Sequence, residues 1–166
     1  MKYTDRMDPE KYIVSGTVRS YNPNNPVTLL LMQGNEVKHT TIIAAEAGNG
    51  RHEQSFTFKY VEPGTYTLVI TKAAHLKFTV HNVVVGEEDL DLTQDGREAV
   101  RLISMTCGDI NGDGQINSGD MLILLSNYLQ LGEKILADLN GDGQVNSSDL
   151  LILLGNYLEL DVVVDM

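Results

Sequence analysis

Residues 109–131 (DINGDGQINSGDMLILLSNYLQL) and 138–160 (DLNGDGQVNSSDLLILLGNYLEL) are one 23-residue unit written twice. Seventeen of the 23 positions are identical, and the second copy starts 29 residues after the first. Each copy opens with an acidic 12-residue loop and continues directly into an apolar segment. Two copies at matched spacing indicate a small module with two equivalent sites.

Both loops carry oxygen-bearing side chains at the spacing of calcium loops. Positions 1, 3, 5, 7, 9 and 12 of such a loop surround the ion, position 7 through its backbone carbonyl and position 9 often through water. Position 6 must turn sharply, and here it is glycine, Gly114 or Gly143. The candidate ligands are Asp109, Asn111, Asp113, Gln115, Asn117 and Asp120 in the first loop, and Asp138, Asn140, Asp142, Gln144, Asn146 and Asp149 in the second.

Each loop holds three carboxylates, which repel one another unless a cation lies between them. Calcium converts that repulsion into coordination, so its binding free energy becomes folding free energy. Magnesium fits less well, because it demands a tight octahedron and keeps its waters. The sequence therefore predicts two Ca²⁺ ions per chain. Ile116 and Val145, at position 8, are expected to pair across the two loops.

The units differ from the complete helix–loop–helix calcium motif in two ways. Position 12 is aspartate in place of the usual glutamate. No entering helix is expected, because residues 99–106 have the β-branched composition of a strand and residues 132–137 allow only about one turn. Each unit is thus predicted to be a loop with its outgoing helix.

The two helices are expected to start at Asn117 or Ser118 and at Asn146 or Ser147, which are good N-cap residues. On a 3.6-residue period the helices are apolar nearly all round, unlike ordinary surface helices. One stripe is assigned to the core between them: Met121, Leu124 and Tyr128, with Leu150, Leu153 and Tyr157. The second stripe is Ser118, Leu122, Leu125 and Leu129, with Ser147, Leu151, Leu154 and Leu158. It either packs against the rest of this chain or binds a partner.

The duplicated loop–helix unit resembles a dockerin, the calcium-dependent module that binds cohesin domains in bacterial polysaccharide-degrading assemblies. The resemblance covers residues 107–160. It implies cohesin-contacting residues at loop positions 10 and 11 and on the following helix. Carried over, these are Ser118, Gly119, Leu122, Leu125, Ser126 and Leu129, or their repeats Ser147, Ser148, Leu151, Leu154, Gly155 and Leu158. Many dockerins place Lys or Arg on this face, whereas here it is aliphatic, which suggests an apolar interface.

The near-identity of the repeats gives the module an approximate two-fold axis, so either helix could meet a partner. The repeats differ outwardly at Gly119/Ser148, Ser126/Gly155 and Gln130/Glu159. We also expect the rest of the chain to cover one side of the module. On these two grounds a single binding orientation is expected.

Charge divides the chain near residue 106. Residues 107–166 hold ten acidic residues and one basic residue, a net of −9, whereas residues 1–106 hold 13 acidic and 11 basic residues, a net of −2. The acidity is therefore concentrated in the predicted metal module. It argues against nucleic acid and anionic membranes as partners.

The first hundred residues predict an all-β domain. Candidate strands span residues 12–19, 27–32, 36–43, 54–60, 65–71, 77–85 and 99–104. Several alternate in polarity, such as Phe56 and Phe58 against Thr57 and Lys59. Turns rich in Asn, Pro and Gly separate them, at 22–26, 33–35, 48–50 and 63–64. About seven short strands with regular turns indicate a β-sandwich.

The segment from Phe56 through the Pro63–Gly64 turn to Val85 resembles the prealbumin-like sandwich of carboxypeptidase regulatory domains. It is also similar to the X module that precedes some dockerins. The predicted fold class is therefore an all-β, prealbumin-like sandwich followed by a small α-helical dockerin with two calcium loops. The expected organisation is a sandwich at 1–106, a dockerin at 107–160 and a C-terminal tail at 161–166.

Nothing in the sequence indicates catalysis. The histidines at 39, 52, 75 and 81 lack metal-ligand spacing and are expected on the surface, and no Gly-x-Ser-x-Gly motif occurs. Cys107 is the only cysteine, which excludes an internal disulfide, and is expected to be a small filler where the domains meet. The chain has no Trp, and its Tyr residues fall mostly in strand or core patterns, which disfavours a glycan platform.

No signal peptide or membrane-spanning run is evident, and the chain reads as a fragment of a larger protein. Half-motif loops suit millimolar extracellular calcium. The sequence thus predicts a secreted or cell-surface, non-catalytic assembly module whose partner is the cohesin of a scaffoldin or anchoring protein. The alternatives are a calcium-responsive regulator and a calcium-stabilised carbohydrate-binding or catalytic β domain.

Overall fold

The computed structural model describes residues 10–166. The part of the predicted sandwich domain at residues 1–9 lies outside the described residues. Nine strands and three short α-helices follow one another in this range. The strands are β1 (Tyr12–Tyr21), β2 (Val27–Gln33), β3 (Glu36–Ile43), β4 (Arg51–Val61), β5 (Gly64–Thr71), β6 (Phe78–Val85), β7 (Leu90–Asp91), β8 (Ile103–Ser104) and β9 (Val162–Asp165). The helices are α1 (Glu98–Arg101), α2 (Ser118–Ser126) and α3 (Ser147–Gly155), and a 3₁₀ turn spans Leu92–Gln94.

The strands form two sheets. In the first sheet, β1 pairs antiparallel with β4 and, through its other edge, parallel with the short strands β7 and β8. The second sheet has the order β3-β2-β5-β6-β9, antiparallel except for the parallel pair β6–β9. Their inner faces enclose one apolar core, which confirms the predicted all-β sandwich.

The predicted alternation in polarity is confirmed along the central strands. Phe56 and Phe58 are buried between the sheets, while Thr57 and Lys59 are exposed. Side chains that alternate along a strand point to opposite faces, so one face of each strand supplies the core. On β5 the buried side chains are Tyr66, Leu68 and Ile70.

The strand predicted at residues 99–104 is wrong in part. Residues 98–101 form α1, and only Ile103–Ser104 pair with β1. Val100 and Ile103 are both buried in the sandwich core, so the apolar residues were correctly placed inside. Four helical residues bury the same kind of side chain as a strand does, and composition alone does not separate the two over so short a run.

Residues 161–166, expected to be a tail, return the chain to the sandwich. Val162 pairs with Phe78, and Val164 pairs with Val80, as the edge strand β9. The side chains of Val162 and Val164 pack against the sandwich core, whereas Val163 is exposed. The helical module is therefore held by the sandwich at both of its ends.

A second apolar core lies under α2 and α3. Its central residues are Leu124 and Leu153, one from each helix, together with Ile116 and Val145 from the loops. The sandwich contributes Ala74 and Leu76, from the turn before β6, to the same cluster. Cys107 is buried there too, as expected for a small filler at the junction.

His75 is buried at this junction, so the expectation that the histidines lie on the surface is wrong for this residue. Its Nε2 accepts a hydrogen bond from the Tyr21 backbone N–H (3.2 Å), and its Nδ1 donates to the Ala73 carbonyl (2.8 Å). Acceptance at Nε2 requires the neutral imidazole with its proton on Nδ1. Burial lowers the pKa of His75 to about 4, an effect opposed by the Ala73 hydrogen bond and increased by the charge of Lys72.

The depressed pKa of His75 makes the free energy of unfolding depend on pH. The unfolded chain binds this proton with the ordinary pKa of 6.5. Between pH 6.5 and pH 4 the unfolded state therefore holds more protons, and stability falls as the pH falls. In saturating calcium we expect a loss of roughly 2–3 kcal/mol from this group between pH 7 and pH 4.5. Denaturant unfolding of the native chain and of His75→Gln at both pH values measures it. His52→Gln is the control, and an equal pH dependence in all three proteins contradicts the prediction.

The anchoring of β9 predicts unequal effects of substitution at neighbouring valines. Val164→Asp places a charge against the sandwich core and should lower the free energy of unfolding by at least about 2 kcal/mol. Val163→Asp places the same group in solvent on the same strand and should be nearly neutral. Thermal unfolding of the two variants in saturating calcium makes the comparison. Equal destabilisation would show that β9 does not pack as described.

Candidate functional site

In each repeat, a buried aspartate closes the 12-residue loop. Asp120 at position 12 accepts hydrogen bonds through Oδ1 from the N–H groups of Ile110 (2.7 Å) and Asn111 (3.1 Å), and through Oδ2 from that of Asn117 (2.9 Å). Asp149 does the same in the second loop, with Leu139 (2.7 Å), Asn140 (3.2 Å) and Asn146 (2.9 Å). Both carboxylates are fully buried. The two ends of each loop are therefore tied together by one side chain.

The same two aspartates start the helices. Asn117 is the N-cap of α2, and its side-chain oxygen accepts from the Gly119 N–H (2.8 Å). Asp120 completes a capping box with it, and Asn146 and Asp149 form the equivalent box on α3. This confirms the predicted helix starts. An N-cap side chain satisfies an N–H group that the helix leaves free. Asn117 and Asn146 are thus engaged as caps, which suits the water-mediated role of position 9.

The carboxylate at position 1 of each loop accepts hydrogen bonds from the backbone of that loop. Asp109 accepts from the N–H groups of Gly112 (2.9 Å), Asp113 (3.1 Å) and Gly114 (3.1 Å). Asp138 accepts from the matching groups of Gly141 (2.9 Å), Asp142 (3.2 Å) and Gly143 (2.8 Å). The two loops thus share their hydrogen-bond pattern residue by residue. Gly114 and Gly143 at position 6 have φ of +85° and +86°, the left-handed conformation that favours glycine.

Three carboxylates converge in the first loop. Oxygens of Asp109, Asp113 and Asp120 all lie within 4.8 Å of one another. None of the ion pairs within residues 10–166 involves these groups or their counterparts in the second loop. Burial, with the charge of Asp120, raises the pKa of Asp109 against the effect of its three backbone hydrogen bonds. Burial likewise raises the pKa of Asp138. The charges are unfavourable until a cation joins them, and hard oxygen donors suit Ca²⁺.

The predicted pairing of Ile116 with Val145 is wrong. The backbone of Ile116 instead bonds to Leu158 (2.7 Å) and Glu159 (3.0 Å), beyond the end of α3. Val145 bonds in the same way to Leu129 (2.7 Å) and Gln130 (3.0 Å), beyond α2. The exchange occurs because each helix ends beside the loop of the other repeat. The chain turns there through left-handed residues, Leu129 (φ +68°) and Leu158 (φ +72°).

The helices are shorter than the apolar runs suggested, since they end at Ser126 and Gly155. Of the stripe assigned to the core, Leu124 and Leu153 are fully buried and Met121 and Leu150 are half-buried. Tyr128 and Tyr157 follow the helix ends and are exposed, so their assignment to the core is wrong. A helical period predicts burial only as far as the helix extends.

The second stripe is exposed equally in both repeats. Leu122 and Leu151 are 66% and 69% exposed, Leu125 and Leu154 are 48% and 46%, and Leu129 and Leu158 are both 73%. The sandwich therefore covers neither stripe, and the alternative that the second stripe packs against the rest of the chain is wrong. The smaller residues predicted beside them are also exposed, except Gly119, which is half-buried: Ser118, Ser126, Ser147, Ser148 and Gly155.

The sandwich covers the second loop instead of a helix. Asn22 Nδ2 donates to the Asp138 carbonyl (3.1 Å), and the Gly50 N–H donates to the Asn140 carbonyl (2.7 Å). Asn24 Nδ2 reaches the Gly141 carbonyl (3.2 Å). From the sequence these residues are predicted only to form turns. The density of Asn and Gly in two separate turns was the one available signal, since such residues also bond backbone groups.

A residue of the C-terminal segment lies against the first loop. The Asp161 N–H donates to the Gly114 carbonyl (3.1 Å), and Asp161 Oδ1 accepts from the N–H of Lys77, the residue before β6 (2.8 Å). In the second loop, the Gly132 N–H donates to the Gly143 carbonyl (3.0 Å). The position-6 carbonyl thus accepts a hydrogen bond from the equivalent residue in both repeats, Asp161 or Gly132. Of these two residues, Asp161 also connects its loop to the sandwich.

Residues 107–159 match the family of the dockerin type I domain. No curated protein sequence matches the chain significantly. Two crystal structures have a similar fold, an N-terminal and a C-terminal interface mutant of a type II cohesin–X-dockerin complex from Acetivibrio cellulolyticus. The TM-scores are 0.68 and 0.69, with 23% sequence identity in both cases. Each comparison covers 90% of this chain and 97% of the other.

Among the described residues, no helix has both the length and the apolar composition that crossing a bilayer requires.

The duplicated loops, their capping boxes and the family match all concern the same segment, and the structural likeness extends to the sandwich before it. Residues 107–159 are thus a dockerin type I domain, and they follow a β-sandwich with the fold of an X module.

Proposed function

We propose that this chain is a non-catalytic, calcium-dependent assembly module that docks its parent protein onto a cohesin domain. The observation that carries the proposal is the repeated arrangement of a carboxylate-lined loop followed by a helix with an exposed aliphatic stripe. Contiguous exposed apolar surface marks interaction sites in soluble proteins. The similar crystal structures are complexes with cohesin, which is the partner chemistry we carry over to this chain.

Two Ca²⁺ ions, one in each loop, are part of this proposal. The ligands would be the side chains at positions 1, 3, 5 and 12 and the carbonyl of position 7, with position 9 acting through water. Bound calcium neutralises the three carboxylates of each loop. The chain's own residues then hold the loop ends, through Asp120 and Asp149, in the arrangement that starts α2 and α3.

Cohesin would meet the aliphatic stripe of one or both helices. Leu122 and Leu125 of α2 and Leu151 and Leu154 of α3 are the residues we assign to the interface. Lysine and arginine are absent from α2 and α3, so the attraction is apolar and not a matter of charge pairing. An apolar cohesin surface is the complement that this face requires.

We further propose that the sandwich is a prealbumin-like X module that supports the dockerin. Its support is physical, because Ala74 and Leu76 enter the core of the dockerin. A polysaccharide-degrading assembly outside the cell or on its surface is the setting in which we place the module. Millimolar calcium there would keep both loops filled.

Calcium removal tests the metal sites. Calorimetric titration of cation-free chain with CaCl₂ should give two sites, and chelator should abolish the helical circular dichroism of α2 and α3, since the loops order those helices. Asp109→Ala and Asp138→Ala should each remove one site. Glu87→Ala, an exposed acidic residue outside the loops, is the control and should retain both. A single site in the native chain, or an unchanged spectrum in chelator, contradicts the prediction.

The interface is tested with purified type I and type II cohesins. Leu122→Asp/Leu125→Asp combined with Leu151→Asp/Leu154→Asp should weaken binding at least ~100-fold, because burying one leucine contributes about 1.5–3 kcal/mol and ~1.4 kcal/mol is tenfold. Leu136→Asp, at an exposed leucine between the repeats, is the control and should bind normally.

The two double variants also report on orientation. Because the stripes are equally exposed, we expect each double variant alone to have the same effect on cohesin affinity. An unequal effect would show that one repeat is engaged, as the three outward differences between the repeats suggest. Unchanged affinity in the fourfold variant for every cohesin that the native chain binds would overturn the assigned interface.

A further inference from the structure

Within residues 10–166, two turns of the sandwich donate hydrogen bonds to the second calcium loop, and none does so to the same part of the first. Residues 22–26 connect β1 to β2, and residues 48–50 precede β4. Asn22, Asn24 and Gly50 of these turns donate hydrogen bonds to three backbone carbonyls of the loop. The acceptors are the carbonyls of Asp138, Asn140 and Gly141. We call these three donors the latch.

The residues of the latch are held in place by hydrogen bonds within and between the two turns. Asn22 is buried and adopts φ +57°, and its backbone N–H donates to the Gly50 carbonyl (3.0 Å). Its Oδ1 accepts from Asn24 N (3.2 Å) and Asn24 Nδ2 (2.9 Å). The two turns are therefore fixed to each other before they meet the loop. A donor network held in this way does not need to be ordered when the loop binds its ion.

The contact is close enough to require glycine at position 4 of the second loop. A Cβ atom on Gly141 would lie 2.4 Å from Asn22 Oδ1 and 2.8 Å from Asn24 Nδ2. Gly112 occupies the same position in the first loop with nearly the same φ, +73° against +76°, and a Cβ there meets nothing within 4 Å. Both repeats have this glycine, but within residues 10–166 only Gly141 has sandwich atoms within 4 Å of its Cβ position.

We infer that the latch is a positioning device for the second calcium site, so that calcium in the second loop, and not in the first, is coupled to the contact that these two turns make with the dockerin. The inference rests on the proposed calcium sites. The carbonyls held by the latch belong to positions 1, 3 and 4, whose side chains or N–H groups form the metal-binding turn. A loop already held in this shape loses less conformational freedom on binding, and linkage requires that the bound ion stabilise the latch in return.

The test uses the full chain and follows the amide resonances of Gly114 and Gly143 by NMR during titration with CaCl₂. These position-6 glycines report on the first and second loops separately. Asn22→Gly keeps the left-handed backbone and removes the amide donor, and it should weaken calcium binding at Gly143 about tenfold without changing the transition at Gly114. Asn82→Gly is the matched control, because Asn82 is also left-handed (φ +60°) but lies on β6. It should change neither transition.

A second pair of variants does not depend on Asn22. Gly141→Ala and Gly112→Ala introduce nearly equal backbone strain, each in its own loop. Gly141→Ala also disrupts the latch, so it should weaken its own site about tenfold more than Gly112→Ala weakens the first site. Equal losses in this pair, together with an unchanged Gly143 transition in Asn22→Gly, would overturn the inference.

Hydrogen exchange at the Gly50 amide measures the coupling from the side of the sandwich. With the first site removed by Asp109→Ala, calcium should still slow this exchange, whereas with the second site removed by Asp138→Ala it should not. Equal protection in both variants would show that the coupling is not specific to the second loop. If neither glycine responds to calcium in the native chain, the proposed metal sites fail as well; if both respond but the latch variants leave Gly143 unchanged, only this inference fails.

Discussion

A buried carboxylate at the end of each loop is the constraint on which the dockerin depends. Asp120 and Asp149 accept hydrogen bonds from the beginning of their loops and from the residue that caps the following helix. Each is fully buried without a basic partner among the ion pairs of residues 10–166. An unpaired buried charge is costly, and a bound cation removes that cost. The same aspartate therefore closes the loop, helps to start the helix and creates the requirement for a bound cation.

The dockerin is joined to the sandwich by the chain at both of its ends, and also through non-covalent contacts. The chain leaves the first sheet at β8, passes through both repeats and re-enters the second sheet as β9. At the entrance, Leu76 N–H donates to the Thr106 carbonyl (2.8 Å), and Gly108 N–H donates to that of Ala74 (2.8 Å). At the exit, Asp161 bonds to both the first loop and Lys77, the residue before β6. Separation of the two domains would thus require breaking backbone hydrogen bonds at two places.

The sequence of the dockerin is nearly symmetric, but its surroundings are not. The aliphatic stripes of α2 and α3 are exposed to the same extent, so the sandwich does not select one of them sterically. It distinguishes the loops instead, since Asn22, Asn24 and Gly50 contact only the second. The face that is exposed to a partner is therefore nearly two-fold symmetric, whereas the face that contacts the sandwich is not.

The sequence by itself determined the duplicated loops, the N-caps at Asn117 and Asn146, most of the sandwich strands and the apolar surplus on α2 and α3, whose exposure on one stripe was decided by the tertiary structure. Each of these follows from a local rule: ligand spacing, capping chemistry, polarity that alternates with period two, or an apolar surplus beyond what two short helices can bury. The tertiary structure decided the exchange of partners by Ile116 and Val145, the return of residues 162–165 to the sandwich, the burial of His75 and the contact of the Asn-rich turns with the second loop. These depend on which distant segments become neighbours, and local patterns carry no information on that. A turn residue such as Asn22 has the same local chemistry whether its amide meets water or the carbonyl of a calcium loop, so only the packing of the two domains assigns it a role.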